Sequence, residues 1–253
     1  MVDGAIRKVA VLGAGAVGCF YGGLLARSGV PVTLIGRATH VEAIRRDGLA
    51  IEWADRRETI RVGASTDVAA VRDADLVLVC VKSPDTSDAG RSLRPHLRPD
   101  AVVASLQNGV DNADRLRAVL SQPVLAAVVY VGAYMDGPGI VRHTGRGDLV
   151  LGAARADRER PGIAENLAAV AALFEAAGIA CPLSEDIDAA LWTKLVINCA
   201  FNAISALGRA RYGRMVREPG IRALMEGTVR ESVAVARAAG VALDERKLLA
   251  AVW

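Results

Sequence analysis

The amino-acid sequence predicts an α/β fold in which a doubly wound parallel sheet is followed by a second, all-α domain. Apolar runs of strand length alternate with helical stretches through most of the chain. One of these runs leads directly into a glycine-rich turn and a helix. After Pro182 the strand patterns stop and only helical patterns follow. The 253 residues suffice for two domains, which we place at residues 1–183 and 184–253.

The first apolar run, Val9–Leu12, is followed by a glycine turn and then by a helical stretch. This order is typical of a Rossmann-type dinucleotide-binding domain. Its first glycine permits the tight turn, the second lets the backbone approach a pyrophosphate, and the third lets the helix pack closely on the strand. A purely structural turn is the alternative. The residues that we assign to the cofactor site are Gly13, Ala14, Gly15, Ala16, Val17 and Gly18.

The second apolar run, Val30–Ile35, ends at Gly36 and Arg37, and no acidic residue follows before Glu42. A site for NAD usually has a carboxylate here to bind the ribose hydroxyl, whereas the 2′-phosphate of NADP requires a positive partner. The sequence therefore predicts NADP (NADPH), with Arg37 as the partner of the 2′-phosphate. A solvated arginine at a strand end is the alternative.

Two further apolar runs, Leu76–Val81 and Ala101–Leu106, are predicted as central strands that are buried on both faces. Leu49–Trp53 and Thr59–Val62 are predicted as short peripheral strands. In doubly wound sheets, ligands bind beyond the carboxyl ends of the strands. The candidate residues that fall there are Gly13, Arg37, Lys82 and Asn108.

The remaining chain is predicted to contain one more strand, one hairpin and several helices. The strand is Val124–Tyr134, and the hairpin joins Ile140–His143 to Leu149–Gly152. The predicted helices are Ile163–Ala177, Ile187–Leu207, Pro219–Ala239 and Leu243–Val252.

Lys194, Asn198 and Asn202 follow one another at intervals of one helical turn, so they share one face of an otherwise apolar helix. We expect such a helix to be buried, where an unpaired polar group costs about 1–3 kcal/mol. The three side chains therefore need protein partners or a bound ligand. A lysine there can donate a proton to a carbonyl oxygen as hydride reaches its carbon, and the asparagines suit hydroxyl and carbonyl groups. A polar stripe that bonds neighbouring loops is the alternative.

Composition excludes several classes of function. The formal charge of +3 comes from dispersed residues, which argues against a nucleic-acid partner. The sequence has no apolar run near 18 residues and no N-terminal signal pattern, so we expect a cytoplasmic protein without a membrane partner. The four cysteines lie far apart, which predicts no disulfide framework. His40, His96 and His143 lack metal-ligand spacing, and we expect them in loops, with no metal site.

On these residues the chain resembles the ketopantoate reductase family (2-dehydropantoate 2-reductase) over nearly its full length. The resemblance is carried by GAGAVG, by Gly36-Arg37, by Val81-Lys82, by the tripeptide at residues 107–109 and above all by LWTKLVINCAFN. It implies a second domain like the C-terminal domain of 6-phosphogluconate dehydrogenase. It also implies reduction of ketopantoate, a small 2-keto acid, to pantoate by NADPH in pantothenate biosynthesis.

The resemblance implies a role for each matching residue. Lys194 would be the proton donor, and Asn198 and Asn202 would bind the substrate. Asn108 would contact both cofactor and substrate, Lys82 and Arg37 would hold the cofactor, and Ala133 would lie beside it.

The sequence also departs from the family pattern. Related chains continue for tens of residues beyond this point, with a serine for the substrate carboxylate and a glutamate near the cofactor, and no residue here takes those roles. Tyr212 stands where many relatives have asparagine. Two alternatives therefore stay open, a β-hydroxy acid dehydrogenase and an NADP-binding protein with impaired catalysis. A homodimer that covers the exposed surface of the second domain is a further expectation.

Overall fold

The computed structural model describes residues 6–252, which form two compact units. The first unit ends at Ile187 and the second begins at Asp188. The division falls a few residues after the boundary that we place at residue 184 from the sequence.

The first unit contains nine strands in a single sheet and five helices among its described residues. The strands are β1 (Val9–Leu12), β2 (Val32–Ile35), β3 (Leu49–Glu52), β4 (Arg57–Ile60), β5 (Gly63–Ser65), β6 (Leu76–Val79), β7 (Val102–Ser105), β8 (Val124–Gly137) and β9 (Ile140–Ala153). The helices are α1 (Ala16–Arg27), α2 (Ala38–Asp47), α3 (Thr86–Leu93), α4 (Asn112–Arg117) and α5 (Ile163–Ala176).

Six neighbouring strands run parallel in the order β5-β2-β1-β6-β7-β8. In chain order this is the arrangement 3-2-1-4-5-6 of the doubly wound nucleotide-binding fold. The predicted parallel sheet is therefore confirmed. Its central strands β6 and β7 are buried along their whole length, as their uninterrupted apolar sequences require.

Three more strands extend the sheet beyond β8 and make it mixed. β9 pairs antiparallel with β8, β3 pairs parallel with β9, and β4 closes the edge antiparallel to β3. The predicted hairpin of Ile140–His143 with Leu149–Gly152 is wrong, because both segments belong to the single strand β9. The hairpin instead joins β8 to β9. Arg146 and Gly147, with φ of 54° and 151°, take up an irregularity within β9 and do not reverse the chain.

The sheet curls around helix α1. β4 and β5 lie at opposite ends of the strand order, yet only residues 61–62 separate them in the chain. A Cβ on Gly22 would meet the Leu34 side chain of β2, and a Cβ on Gly23 would meet side chains of β3. Helix α1 is therefore enclosed between the two ends of the sheet, and its residues 18–25 are all buried.

The histidine prediction is partly wrong. His40 lies within helix α2 and His143 within strand β9, while His96 follows α3 in a turn. His143 stacks on Phe20 with ring centroids 4.9 Å apart, so its flat ring serves packing at this position. The residues described here contain no group of three or more His, Cys, Asp or Glu side chains that could hold a metal ion.

The second unit is helical, as the sequence predicts. Its helices are α6 (Ile187–Gly208), α7 (Tyr212–Met215), α8 (Pro219–Ala238) and α9 (Glu245–Val252). A small apolar core joins them, built from one face of α6, from Met215 and from the inner faces of α8 and α9. α7 has no counterpart in the sequence prediction, because four residues are too few for a periodic pattern.

Helix α6 is less buried than its composition predicts. Val196 and Ala200 are fully buried in the core of the second unit, but most other positions are half-buried, and Leu207 is exposed. By its length and hydropathy alone, α6 would also be able to cross a membrane. Of the 18 residues in its most apolar stretch, 17 % are buried in the structure. The expectation of a buried helix is wrong, because only one side of α6 packs on its neighbours.

Candidate functional site: a dinucleotide cradle and a lysine-asparagine face

The glycine turn after β1 is shaped by two close contacts. Gly13 has a φ of 112°, and a Cβ there would lie 2.6 Å from the Cys80 carbonyl carbon. A Cβ on Gly18 would overlap the carbonyl oxygen of Gly13. Both positions exclude any side chain, because the turn packs against the end of β6 and helix α1 packs against the turn.

Gly15 differs from both neighbouring glycines. Its φ of −92° and ψ of −169° suit any residue. A Cβ on Gly15 would meet no protein atom within 4 Å. Nothing in the protein requires glycine here, so the open space above Gly15 fits a ligand that approaches the backbone closely. The α1 N-terminus begins at this point, and it has no acidic residue in its first turn that would repel a pyrophosphate.

Arg37 lies at the end of β2 and forms the N-cap of helix α2. Its side chain is exposed, and the first turn of α2 contains no acidic residue. Partial burial and the charge of Arg37 both lower the pKa of His40, one turn further along the helix. The environment of Arg37 is therefore cationic and suits a phosphate group.

Lys82 and Asn108 follow adjacent parallel strands at matching positions. Val79 pairs with Ser105 at the ends of β6 and β7, and each candidate lies three residues beyond its strand. Both are exposed. Because β7, β6, β1 and β2 are consecutive in the sheet, the structure brings Lys82 and Asn108 to the same sheet edge as Gly13 and Arg37.

A buried polar network holds the two loops that carry Lys82 and Asn108. The Gln107 side chain donates to the Val81 carbonyl oxygen at 3.0 Å and to the Thr86 hydroxyl at 2.7 Å. The Thr86 hydroxyl oxygen also lies 2.8 Å from Oδ1 of Asn112. Thr86, Gln107 and Asn112 are all buried.

The same network fixes the backbone at Asn108. Its carbonyl oxygen accepts hydrogen bonds from Ser83 at 2.7 Å and from Asn112 at 2.9 Å. These positioning residues could not be identified from the sequence, since Thr86 and Asn112 are near Lys82 and Asn108 only through the fold. The sequence gives one indication of this network, because Gln107 is a polar residue directly after a buried strand.

Replacing Thr86 by valine is expected to destabilise the first unit. The change keeps the side-chain shape but leaves buried polar groups of Gln107 and Asn112 without a partner, at a cost of about 1–3 kcal/mol. For a unit of this size, this corresponds to a Tm lower by roughly 2–12 °C in thermal unfolding. Thr86→Ser keeps the hydroxyl group and should lower Tm much less. A larger drop in Tm for Thr86→Ser than for Thr86→Val would show that the methyl group, and not the network, matters.

Ala133 lies on β8 beyond the part that pairs with β7, which ends at Ala126. It is half-buried and pairs with His143 of β9 next to a register shift at Gly132. Its small side chain makes no polar contact of its own, so its place beside a cofactor stays a prediction.

The other candidates form a separate group in the second unit. Lys194 and Asn198 are half-buried and Asn202 is exposed along one face of α6, whose opposite face enters the core of that unit. Tyr212, at the start of α7, donates a hydrogen bond of 2.7 Å to Oδ1 of Asn202. From the sequence, Tyr212 is only a departure from the family pattern.

Comparison with known proteins gives matches to both units of the chain. The family model "Ketopantoate reductase PanE/ApbA" matches residues 9–156, and its C-terminal counterpart matches residues 186–253. A 2-dehydropantoate 2-reductase of Halobacterium salinarum is 37% identical over 94% of this chain and 78% of its own length.

Solved structures give the same result. A PanE/ApbA family ketopantoate reductase from Ralstonia eutropha has a TM-score of 0.86 and 49% identity, over 97% of this chain and 78% of its own. D-mandelate dehydrogenase, solved with NADH and anilino(oxo)acetate, shares the fold with a TM-score of 0.86 at 22% identity, over 97% of this chain and 78% of its own. On the family models and the sequence identity together, the chain belongs to the ketopantoate reductase family.

Proposed function

We propose that the protein reduces ketopantoate to pantoate with a nicotinamide nucleotide as the hydride source. The observation that carries this proposal is the row of Lys194, Asn198 and Asn202 on one incompletely buried face of α6, in a chain of this family. A lysine ammonium group and two amides can bind and protonate a hydroxylated keto acid, and the opposite face of α6 is the one that makes the core.

In the proposed reaction, the bound cofactor supplies a hydride to the keto carbon. Lys194 donates a hydrogen bond to the keto oxygen and then its proton, so that the carbonyl becomes the hydroxyl of pantoate. Asn198 and Asn202 bind the substrate through their amide groups. Asn108 also contacts the substrate, from the loop that the Gln107 network holds.

We further propose that the cofactor is NADP. Residues 13–18 would hold the pyrophosphate at the α1 N-terminus, Arg37 would bind the 2′-phosphate, and Lys82 and Ala133 would contact the remainder of the nucleotide. Support comes from the open space above Gly15, from the exposed Arg37 and from the absence of a carboxylate in the first turn of α2.

A steady-state assay with purified protein tests the function. Consumption of NADPH that depends on ketopantoate, with pantoate as the product, is the expected result. Preferential oxidation of β-hydroxy acids with NAD would contradict both the substrate and the cofactor proposal. Tight binding of NADPH without turnover of any keto acid would identify a binding protein.

Replacing Arg37 by alanine is expected to raise KM for NADPH by about 10- to 150-fold, because a charge-assisted bond to phosphate contributes about 1.5–3 kcal/mol. The KM for NADH should change less than twofold, since NADH lacks the 2′-phosphate. Arg46→Ala is the matched control, because Arg46 lies in the last turn of the same helix and pairs with Asp47. An equal rise for both nucleotides would contradict a specific phosphate contact.

We place the protein in the cytoplasm, where this biosynthetic substrate is expected. Although α6 is long and apolar, its Val196 and Ala200 belong to the core of the second unit and its other face carries Lys194. This supports α6 as part of a folded substrate domain.

A further inference from the structure

Tyr212 contacts two consecutive residues of helix α6. Its hydroxyl lies 2.7 Å from Oδ1 of Asn202, and its ring centroid lies 4.7 Å from that of Phe201. The contact with the Phe201 ring fixes the position of the Tyr212 phenol, and the hydrogen bond fixes the orientation of the Asn202 amide. Tyr212 therefore holds the Asn202 side chain in one orientation.

The chemistry of the pair makes Asn202 a hydrogen-bond donor toward any ligand. A side-chain amide carries one acceptor oxygen and two N–H donors. The phenol O–H takes one acceptor site of the oxygen and fixes the amide in this orientation. Asn202 therefore offers its two N–H groups to a ligand, and these suit an acceptor atom such as a hydroxyl oxygen.

The spacing along α6 separates Asn202 from the proton donor. Lys194 and Asn202 are eight residues apart, which is about 12 Å along a helix axis. The two side chains therefore contact different parts of a small substrate. In ketopantoate the keto group lies between the carboxylate and the end that carries the hydroxyl group. If Lys194 serves the keto oxygen, we assign Asn202 to the hydroxyl end, because a neutral amide donor suits a neutral acceptor.

We propose that Tyr212 is a specificity-determining residue, which positions Asn202 to donate to the hydroxyl oxygen of the substrate. The inference rests on the proposed function. It assigns to Tyr212 the discrimination between ketopantoate and keto acids that lack this hydroxyl. An amide held in one orientation binds an acceptor without first losing rotational freedom. The hydrogen bond from Tyr212 therefore increases the affinity for the substrate and does not change the rate of the chemical step.

The test compares two substrates in the Tyr212→Phe variant, which keeps the ring and removes only the hydroxyl. For ketopantoate we expect KM to rise about 2- to 10-fold, the range of one net hydrogen bond, with kcat changed less than twofold. For trimethylpyruvate, which is ketopantoate without its hydroxyl group, KM should not change. Tyr134→Phe is the matched control, since both tyrosines are 48% exposed.

A second pair of variants separates the proposal from a general structural effect. In an Asn202→Ala background, Tyr212→Phe should have no further effect on KM for ketopantoate. An equal loss with both substrates, or an undiminished loss in the Asn202→Ala background, would overturn the proposal. If the unaltered protein turned over trimethylpyruvate but not ketopantoate, the proposed function itself would fail, which is a distinguishable result.

Discussion

Replacing Lys194 by methionine is expected to lower kcat for ketopantoate reduction by about one hundred- to ten-thousandfold, the usual contribution of a positioned general acid. Methionine has a similar length and suits a half-buried position on a helix, so α6 should fold as before. The dissociation constant for NADPH should stay about the same, because the residues proposed to hold the nucleotide do not include Lys194. Single-turnover kinetics and a separate NADPH titration measure the two quantities.

Two further variants make the Lys194 experiment specific. Lys247→Met removes an exposed lysine of the same unit and should leave kcat unchanged. Lys194→Arg keeps the positive charge, but a guanidinium does not release its proton at neutral pH, so turnover should stay low. If Lys194→Met retained a third or more of kcat, the proton would have to come from another group.

The second large effect concerns two glycines of the same turn. Gly18→Ala should lower Tm by roughly 2–12 °C, since overpacking costs about 1–3 kcal/mol and the new methyl group would overlap the Gly13 carbonyl oxygen. Gly15→Ala should change Tm by less than about 2 °C, because its dihedral angles and surroundings accept a methyl group and a weaker N-cap is a small loss.

For Gly15→Ala the large expected effect is on NADPH binding and not on stability. A methyl group there would occupy the space through which a pyrophosphate approaches the backbone, so we expect the dissociation constant to rise at least about tenfold. Isothermal titration and thermal unfolding of both variants give the comparison. A Gly15→Ala protein that binds NADPH normally would show that the open space over this residue serves no ligand.

Features that depend on adjacent residues could be predicted from the sequence. The three glycine positions follow from contacts between a strand, a turn and the helix after it, and the structure has Gly13 and Gly18 in close contact as expected. The end of β2 at Arg37 and the positions of Lys82 and Asn108 after buried strands likewise follow from local apolar runs.

Features that depend on distant residues could not be predicted in this way. Two glycines within Thr144–Asp148 favoured a turn, but pairing with β8 keeps β9 continuous, and Gly147 only accommodates an irregularity. The burial of α6 depends on how many helices pack around it, which its own sequence does not determine. Thr86 and Asn112 meet only because the loops after β6 and β7 are adjacent in the fold.

The sheet curls around helix α1, and this determines when the entropy of ordering the proposed phosphate-binding turn is lost. Because β2 packs on one side of α1 and β3 on the other, the helix and its first amide groups are already immobilised in the folded chain. That entropy is lost once, during folding, and nucleotide binding does not have to offset it. The affinity of the turn for a dinucleotide is thus set partly by β3 and β4, two strands that lie remote from β1 in the order of the sheet.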